Sequence, residues 1–88
     1  MNFRDHLDEK LENPQFKKLF EEKKYLLELG MAITEAREQR GLSQSELAKK
    51  SKVTQQQLSK IENGVNCNML TFIKVSSALG LGLSVRTP

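Results

Sequence analysis

Two capping boxes lie close together in mid-chain, Ser43-x-x-Glu46 and Thr54-x-x-Gln57, and they restrict the possible folds more than any other feature. In each box the hydroxyl accepts from the backbone N–H three residues on, while the Glu or Gln side chain reaches back to the N–H of the capping residue. Each box therefore fixes a helix start. Gly64 stands where the second helix should stop, and the first must end before Thr54, so both are short and only a tight turn separates them. Leu47, Ala48, Val53, Leu58 and Ile61 are spaced to anchor the pair on a common core, and the small Ala48 allows a close crossing.

Two short capped helices joined by a tight turn form a helix-turn-helix unit. Upstream of it, Asn13 is a good N-cap and Pro14 suits the first helical position, which predicts a helix start there. Phe16, Leu19, Phe20, Leu26, Leu27 and Met31 follow at three- and four-residue steps and form an apolar stripe. The stripe needs a partner, either the rest of its own chain or another protein. Gly30 marks a joint between this arm and the next helix, or else lies within one long helix at a cost of about 1 kcal/mol relative to Ala. The helical pattern runs on through Ile33 and Ala36 to Arg40, with Gly41 as its left-handed cap. A shorter leading helix, capped by Asn2 and with Asp5 in its first turn, is expected up to Glu12. Downstream, a helix from Met69 to Leu79 would turn Met69, Phe72, Val75 and Leu79 inward and stop at Gly80. The tail Leu81-Gly82-Leu83-Ser84-Val85 alternates with period two. It is either a packed end or a strand that pairs through Leu81, Leu83 and Val85 with the same strand of a second copy, since a lone strand would leave its edges unpaired. The expected organisation is an amphipathic helical arm over 1–28, a helix-turn-helix domain over 29–80 and a short tail over 81–88.

At 88 residues the chain has room for one core and none for a deep substrate cleft. Its one cysteine, Cys67, cannot form an internal disulfide, and with the single His6 it makes no zinc site. Neither paired carboxylates nor an activated nucleophile can be assembled, so no enzymatic activity, metal or cofactor is expected. No apolar run is long enough for a membrane span and the amino terminus does not resemble a signal peptide, which places the protein in the cytoplasm. Charge is unevenly divided: residues 1–29 carry six Lys/Arg against seven Asp/Glu, a net −1, and residues 30–88 carry eight against four, a net +4. A basic domain behind an acidic arm suits a polyanionic partner.

The helix that begins after Thr54 has the chemistry of a DNA reader. Its early side chains, Thr54, Gln55, Gln56, Gln57, Ser59 and Lys60, match what base edges accept, because a Gln amide can pair in a bidentate way with adenine N6 and N7 in the major groove. Ser43, Gln44, Asn63, Asn66 and Asn68 can donate to phosphate oxygens, and Lys49, Lys50 and Lys52 add long-range attraction. A solvated polar face is the plainer alternative, but three successive glutamines at a capped helix start have little structural use.

From about Leu29 to Leu81 the chain resembles the Xre/Cro and lambdoid-phage-repressor family of five-helix DNA-binding domains. The matching residues are Arg37, Arg40-Gly41-Leu42-Ser43-Gln44, Glu46-Leu47-Ala48, Val53-Thr54-Gln55-Gln56-Gln57, Ile61-Glu62-Asn63-Gly64 and Ala78-Leu79-Gly80. The resemblance implies an all-α, five-helix domain acting as a dimer. It also implies that Gln55, Gln56 and Lys60 face bases, that Gln44 and Asn63 touch the DNA backbone, and that Arg37 pairs with Glu62. Two positions depart from the pattern. Lys52 occupies a turn position that is Gly in many relatives, so it must adopt positive φ or the turn must differ, and Cys67 stands where a proline is often found. The arm leading from Asn13-Pro14-Gln15-Phe16-Lys17 is similar to that of antitoxins of the host-inhibition-of-growth class. This implies a repressor that also neutralises a small toxin through Phe16, Leu19, Phe20, Leu26 and Leu27. The tail resembles the dimerising strand of another antitoxin group, so the implied toxin is either a ribonuclease or a kinase. A solitary or phage-type regulator without a toxin, or a non-DNA adaptor that borrows the fold, are the alternatives.

Overall fold

A computed structural model describes residues 13–82 of the chain, and these form four helices with no strand among them. They are α1 (Pro14–Gln39), α2 (Gln44–Ser51), α3 (Gln55–Glu62) and α4 (Met69–Ala78). The leading helix expected up to Glu12, His6, and the tail residues Leu83 and Val85 lie outside the described residues.

α1 starts as its sequence dictates: Asn13 Oδ1 accepts from the N–H of Gln15 at 2.9 Å and from that of Phe16 at 3.4 Å, with Pro14 in the first turn. It runs 26 residues without a break, about 39 Å at the usual rise, so Gly30 lies inside one helix and is no joint. Both capping boxes are complete. Glu46 N–H donates to Ser43 Oγ at 3.1 Å while Ser43 N–H donates to Glu46 Oε1 at 3.0 Å; the corresponding bonds between Thr54 and Gln57 are 3.0 and 2.9 Å.

All four helices close with the same pair of backbone bonds. In α1 the N–H of Gly41 donates to Glu38 O and that of Leu42 to Arg37 O; in α3 Gly64 and Val65 do so to Ile61 O and Lys60 O; in α4 Gly80 and Leu81 do so to Ser77 O and Ser76 O. This motif requires a left-handed residue, which glycine supplies three times. In α2 that residue is Lys52, at φ 59° and ψ 41°, with its N–H on Lys49 O and that of Val53 on Ala48 O. The turn is thus built as if a glycine were present, and the lysine bears the crowding between its Cβ and the following carbonyl. Lys52→Gly is expected to stabilise the fold by about 0.5–1 kcal/mol, the relief of that crowding exceeding the extra freedom of the unfolded chain. Thermal unfolding should move up by a few degrees; a drop would show that the lysine stem contributes packing that outweighs its backbone strain.

The core consists of Ile33 and Ala36 from α1, Leu47 and Ala48 from α2, Leu58 and Ile61 from α3, and Val75 and Leu79 at the end of α4, with Leu42, Val53, Cys67, Phe72 and Ala78 packed around it. α1 lies on α3, and α2 on both α3 and α4. One expectation changes. Met69, assigned to the inward face of the last helix, is 77% exposed, because as the first residue of α4 it precedes the turns that meet the core. Leu81, read as either a packed end or part of a dimerising strand, takes the first role within this chain, closing α4 through the bond of its N–H to Ser76 O. Among the described residues no core residue precedes Ile33, and the first half of α1 projects beyond that core.

Candidate nucleic-acid interface

Whether α3 can present side chains to a ligand depends on how firmly it is held. Leu58 and Ile61 fix it to the core, and Glu62 in its last turn forms a two-pronged pair with Arg37 of α1, Nε to Oε2 and Nη2 to Oε1, both at 3.0 Å. The side chains of Arg37 and Glu62 are only 14% and 5% exposed. Arg37 Nη1 also donates to Leu42 O at 2.8 Å, so one guanidinium joins α1, the turn after it and the end of α3. Thr34 Oγ1 lies 2.9 Å from both Glu62 Oε1 and Gly30 O, and its single proton can serve one of them at a time. Burial pushes the Glu62 carboxyl up, but hydrogen bonds from Arg37, Thr34 and Gln44, together with the Arg37 charge, outweigh it and hold the group below the ordinary carboxylate range. The hydrogen bond to Glu62 pushes the Arg37 guanidinium up in turn.

On this support α3 leaves Gln55, Gln56 and Lys60 exposed. Gln57 and Thr54 are exposed as well, with each oxygen already accepting one bond in the cap, so the Gln57 amide N–H groups and the Thr54 hydroxyl proton are what they chiefly offer a ligand. Ser59 is half-buried, and its carbonyl accepts from Asn63 Nδ2 at 2.8 Å, with a weaker 3.4 Å contact to Ser59 Oγ. Asn63 can therefore reach a phosphate with one amide proton while the other stays on the helix. Asn68 Oδ1 caps α4 by accepting from Leu70 N–H at 2.8 Å, so its amide nitrogen is the end left to donate. Ser43 resembles Thr54 in that its oxygen accepts from Glu46 N–H, while its hydroxyl proton is shared with the Glu46 carboxylate. Backbone and hydroxyl donation by Ser43 holds the exposed Glu46 carboxyl below its usual pKa.

The fold brings these residues onto neighbouring shallow grooves. Gln44 and Asn63 line one groove together with Thr34, Glu35 and Glu62. Asn66 and Asn68 line another with Gln57, Lys60, Cys67 and Thr71. A third, bordered by Asn63, Gly64, Val65 and Asn66, has Lys23, Leu26 and Leu27 of α1 as its other wall. A polar track thus runs from the start of α2, past the end of α3, to the loop before α4, beside the exposed face of α3.

Three features were not legible in the sequence. Thr34 and Gln44 both act on Glu62, although only the polar character of Thr34 one turn before Arg37 hinted at it. Gly30 lets α1 touch α3: a Cβ there would stand 2.4 Å from Ile61 O and 2.8 Å from Glu62 O. Leu27 rests on Gly64, where an added Cβ would meet its Cδ2 at 2.7 Å. The arm residues divide accordingly. Leu26 and Leu27 reach the domain at the third groove, whereas Leu19 and Phe20 lie on the projecting part, 49% and 37% exposed, and Phe20 stacks on Phe16 with ring centroids 6.5 Å apart.

No described helix is long and apolar enough to cross a membrane, and no cluster of metal-ligating side chains occurs among the described residues. A family model described as helix-turn-helix matches residues 33–85, more than half of the chain and all of its core. No curated protein matches the sequence.

Proposed function

The chain belongs to the helix-turn-helix family of DNA-binding transcription regulators, and we propose that it binds operator DNA as a homodimer, represses its own operon and serves as the antitoxin of a toxin–antitoxin pair. The observation that carries the DNA reading is the start of α3. Gln55 and Gln56 are exposed on a helix whose first turn is fixed by a complete capping box and whose last turn is clamped by Arg37. Bidentate Gln pairs would discriminate among bases by about 1–3 kcal/mol each, while Gln44, Asn63, Asn66 and Asn68 set the register through phosphates. A second copy would place its own α3 one helical turn along the duplex. Leu70 and Ile73, exposed on α4, offer apolar surface for that copy, and the tail beyond Leu81 could add to it.

Gln55→Ala and Gln56→Ala are each expected to lower the preference for the DNA upstream of the chain's own gene over mixed-sequence duplex by roughly 5- to 100-fold, with weak nonspecific binding retained. Titration of both duplexes by fluorescence anisotropy measures this. If both variants keep full preference, α3 is not the base reader.

The antitoxin reading is favoured by the projecting half of α1, where the exposed Leu19 and Phe20 extend an apolar face beyond the core. Purification from native cells through a carboxy-terminal tag should yield a stoichiometric small basic protein that is lost on deleting residues 1–24, a cut that spares Leu26 and Leu27. Recovery of the homodimer alone, still bound to its promoter, would make the chain a solitary regulator.

A further inference from the structure

The projecting arm carries four described lysines, and one differs from the rest. Lys17, Lys18 and Lys24 each have a glutamate four residues along, at Glu21, Glu22 and Glu28, where helical neighbours of opposite charge compensate one another. Lys23 instead has Leu19, Phe20, Leu26 and Leu27 at its three- and four-residue neighbours, so no described carboxylate lies one turn from it along α1. It lies on the same side of α1 as Leu27 and Gly30, the side that meets the domain, and it walls the groove whose opposite side is Asn63, Gly64, Val65 and Asn66. Those two asparagines are the ones placed on the phosphate track above. The carboxylate nearest that end of α3, Glu62, is already neutralised by Arg37, and Glu35 lines the far groove with Gln44. The Asn63–Asn66 corner is thus bordered by amide donors and by an ammonium that has no ion-pair partner among the described residues.

We propose that Lys23 is a DNA-backbone contact: its ammonium takes a phosphate next to the one held by Asn63 and Asn66, so that α1 extends the footprint of the domain along the duplex. This rests on the DNA-binding reading above. The apolar neighbours support the four-carbon stem and direct the charged end outward over the groove. A purely structural role competes with this one, since the carbonyl end of α3 also attracts cations. The two roles differ in what they change. A phosphate contact adds to the salt dependence of binding, whereas compensation of the helix end adds only to stability.

Lys23→Gln keeps the stem and the helix propensity while removing the charge. With the full-length protein, mixed-sequence duplex and the duplex upstream of its own gene should both bind about tenfold more weakly to the variant at low salt. The slope of log K against log salt should become shallower by about 0.9, the release of one phosphate's counterions. The thermal midpoint should not move. An unchanged slope with wild-type affinity would overturn the phosphate contact while leaving the DNA reading intact, as would a lowered melting temperature with an unchanged slope. Absence of salt-dependent binding by the wild-type chain to either duplex would overturn both. Lys24→Gln, which removes a lysine that already has Glu28 one turn along, should leave the slope within error of wild type; an equal loss there would show that general arm charge, and not the Lys23 site, is responsible.

Discussion

Glu62→Ala is expected to destabilise the protein by about 3–5 kcal/mol, because it leaves the Arg37 guanidinium charged, mostly buried and without its two-pronged partner. A domain of this size has only roughly 4–13 kcal/mol in all, so the variant should be largely unfolded near body temperature. Urea denaturation at neutral pH measures it. Arg37→Ala should cost a similar amount, with loss of the bond to Leu42 O added. The double replacement Arg37→Met with Glu62→Leu should recover most of the loss, since removing both charges removes the desolvation penalty as well. Recovery will be incomplete, because Gln44 and Leu42 O lose a partner. If Glu62→Ala costs less than about 1 kcal/mol, the pair is far better solvated than its side-chain exposure implies.

The same pair sets an acid limit. Glu62 titrates below its unfolded value of about 4.3, so the folded carboxylate remains ionised where the unfolded chain starts to take up a proton. Its contribution is complete above the unfolded value and is lost as pH falls through the lower folded one. Arg37 stays charged throughout, since its pKa is raised from an already high value. Stability of the wild type should therefore fall more steeply than that of the double apolar variant as pH drops below the unfolded value of about 4.3. Parallel curves would assign the acid sensitivity to other carboxylates.

Gly30→Ala should be destabilising even though Gly30 sits inside a helix. Helix propensity by itself predicts a gain of about 1 kcal/mol for this change. Packing opposes it: the new Cβ would fall 2.4 Å from Ile61 O, 2.8 Å from Glu62 O and 3.0 Å from Glu62 C, all backbone atoms of the last turn of α3. These cannot rotate away as a side chain would, so α1 and α3 must separate, at a net cost of about 1–3 kcal/mol. The separation also pulls on the Arg37–Glu62 clamp, so DNA affinity should drop along with the melting temperature. Gly82→Ala is the control, with nothing within 4 Å of the added atom, and should be close to neutral. A stabilising Gly30→Ala would mean that α1 does not rest on the end of α3.

Much of the fold was legible because its helix boundaries are local events. Asn13-Pro14, the two capping boxes and the glycines at 41, 64 and 80 act through hydrogen bonds spanning only a few residues, so their meaning is present in the sequence itself. The exposed Gln55-Gln56 start of α3 was legible for the same reason: the box at Thr54 fixes which residues occupy the first turn. Lys52 was half legible. The sequence posed the choice between positive φ and an altered turn, and only the tight packing of α2, through buried Leu47 and Ala48, against its neighbours resolved it in favour of φ 59°.

Gly30 marks the limit of such reading. Within its own helix a glycine is merely unfavourable, and nothing local distinguishes a joint from a contact. Its use appears only when the carbonyls of Ile61 and Glu62, distant in sequence, come to rest against it. The assignment of Met69 to the core failed in a related way, since periodicity gives the face of a helix but not how far along that face the neighbouring elements reach. The same holds for the apolar stripe on α1: its existence is written in the spacing of Phe16, Leu19, Phe20, Leu26 and Leu27, while the contact of Leu26 and Leu27 with the domain and the exposure of Leu19 and Phe20 are set by where the domain ends. Sequence alone determined where the helices start and stop and which side chains begin α3, because capping and periodicity are short-range. The tertiary structure alone decided which of those side chains share a groove, what holds Glu62, and what Lys23 faces, because these depend on the distance between segments that only packing brings together.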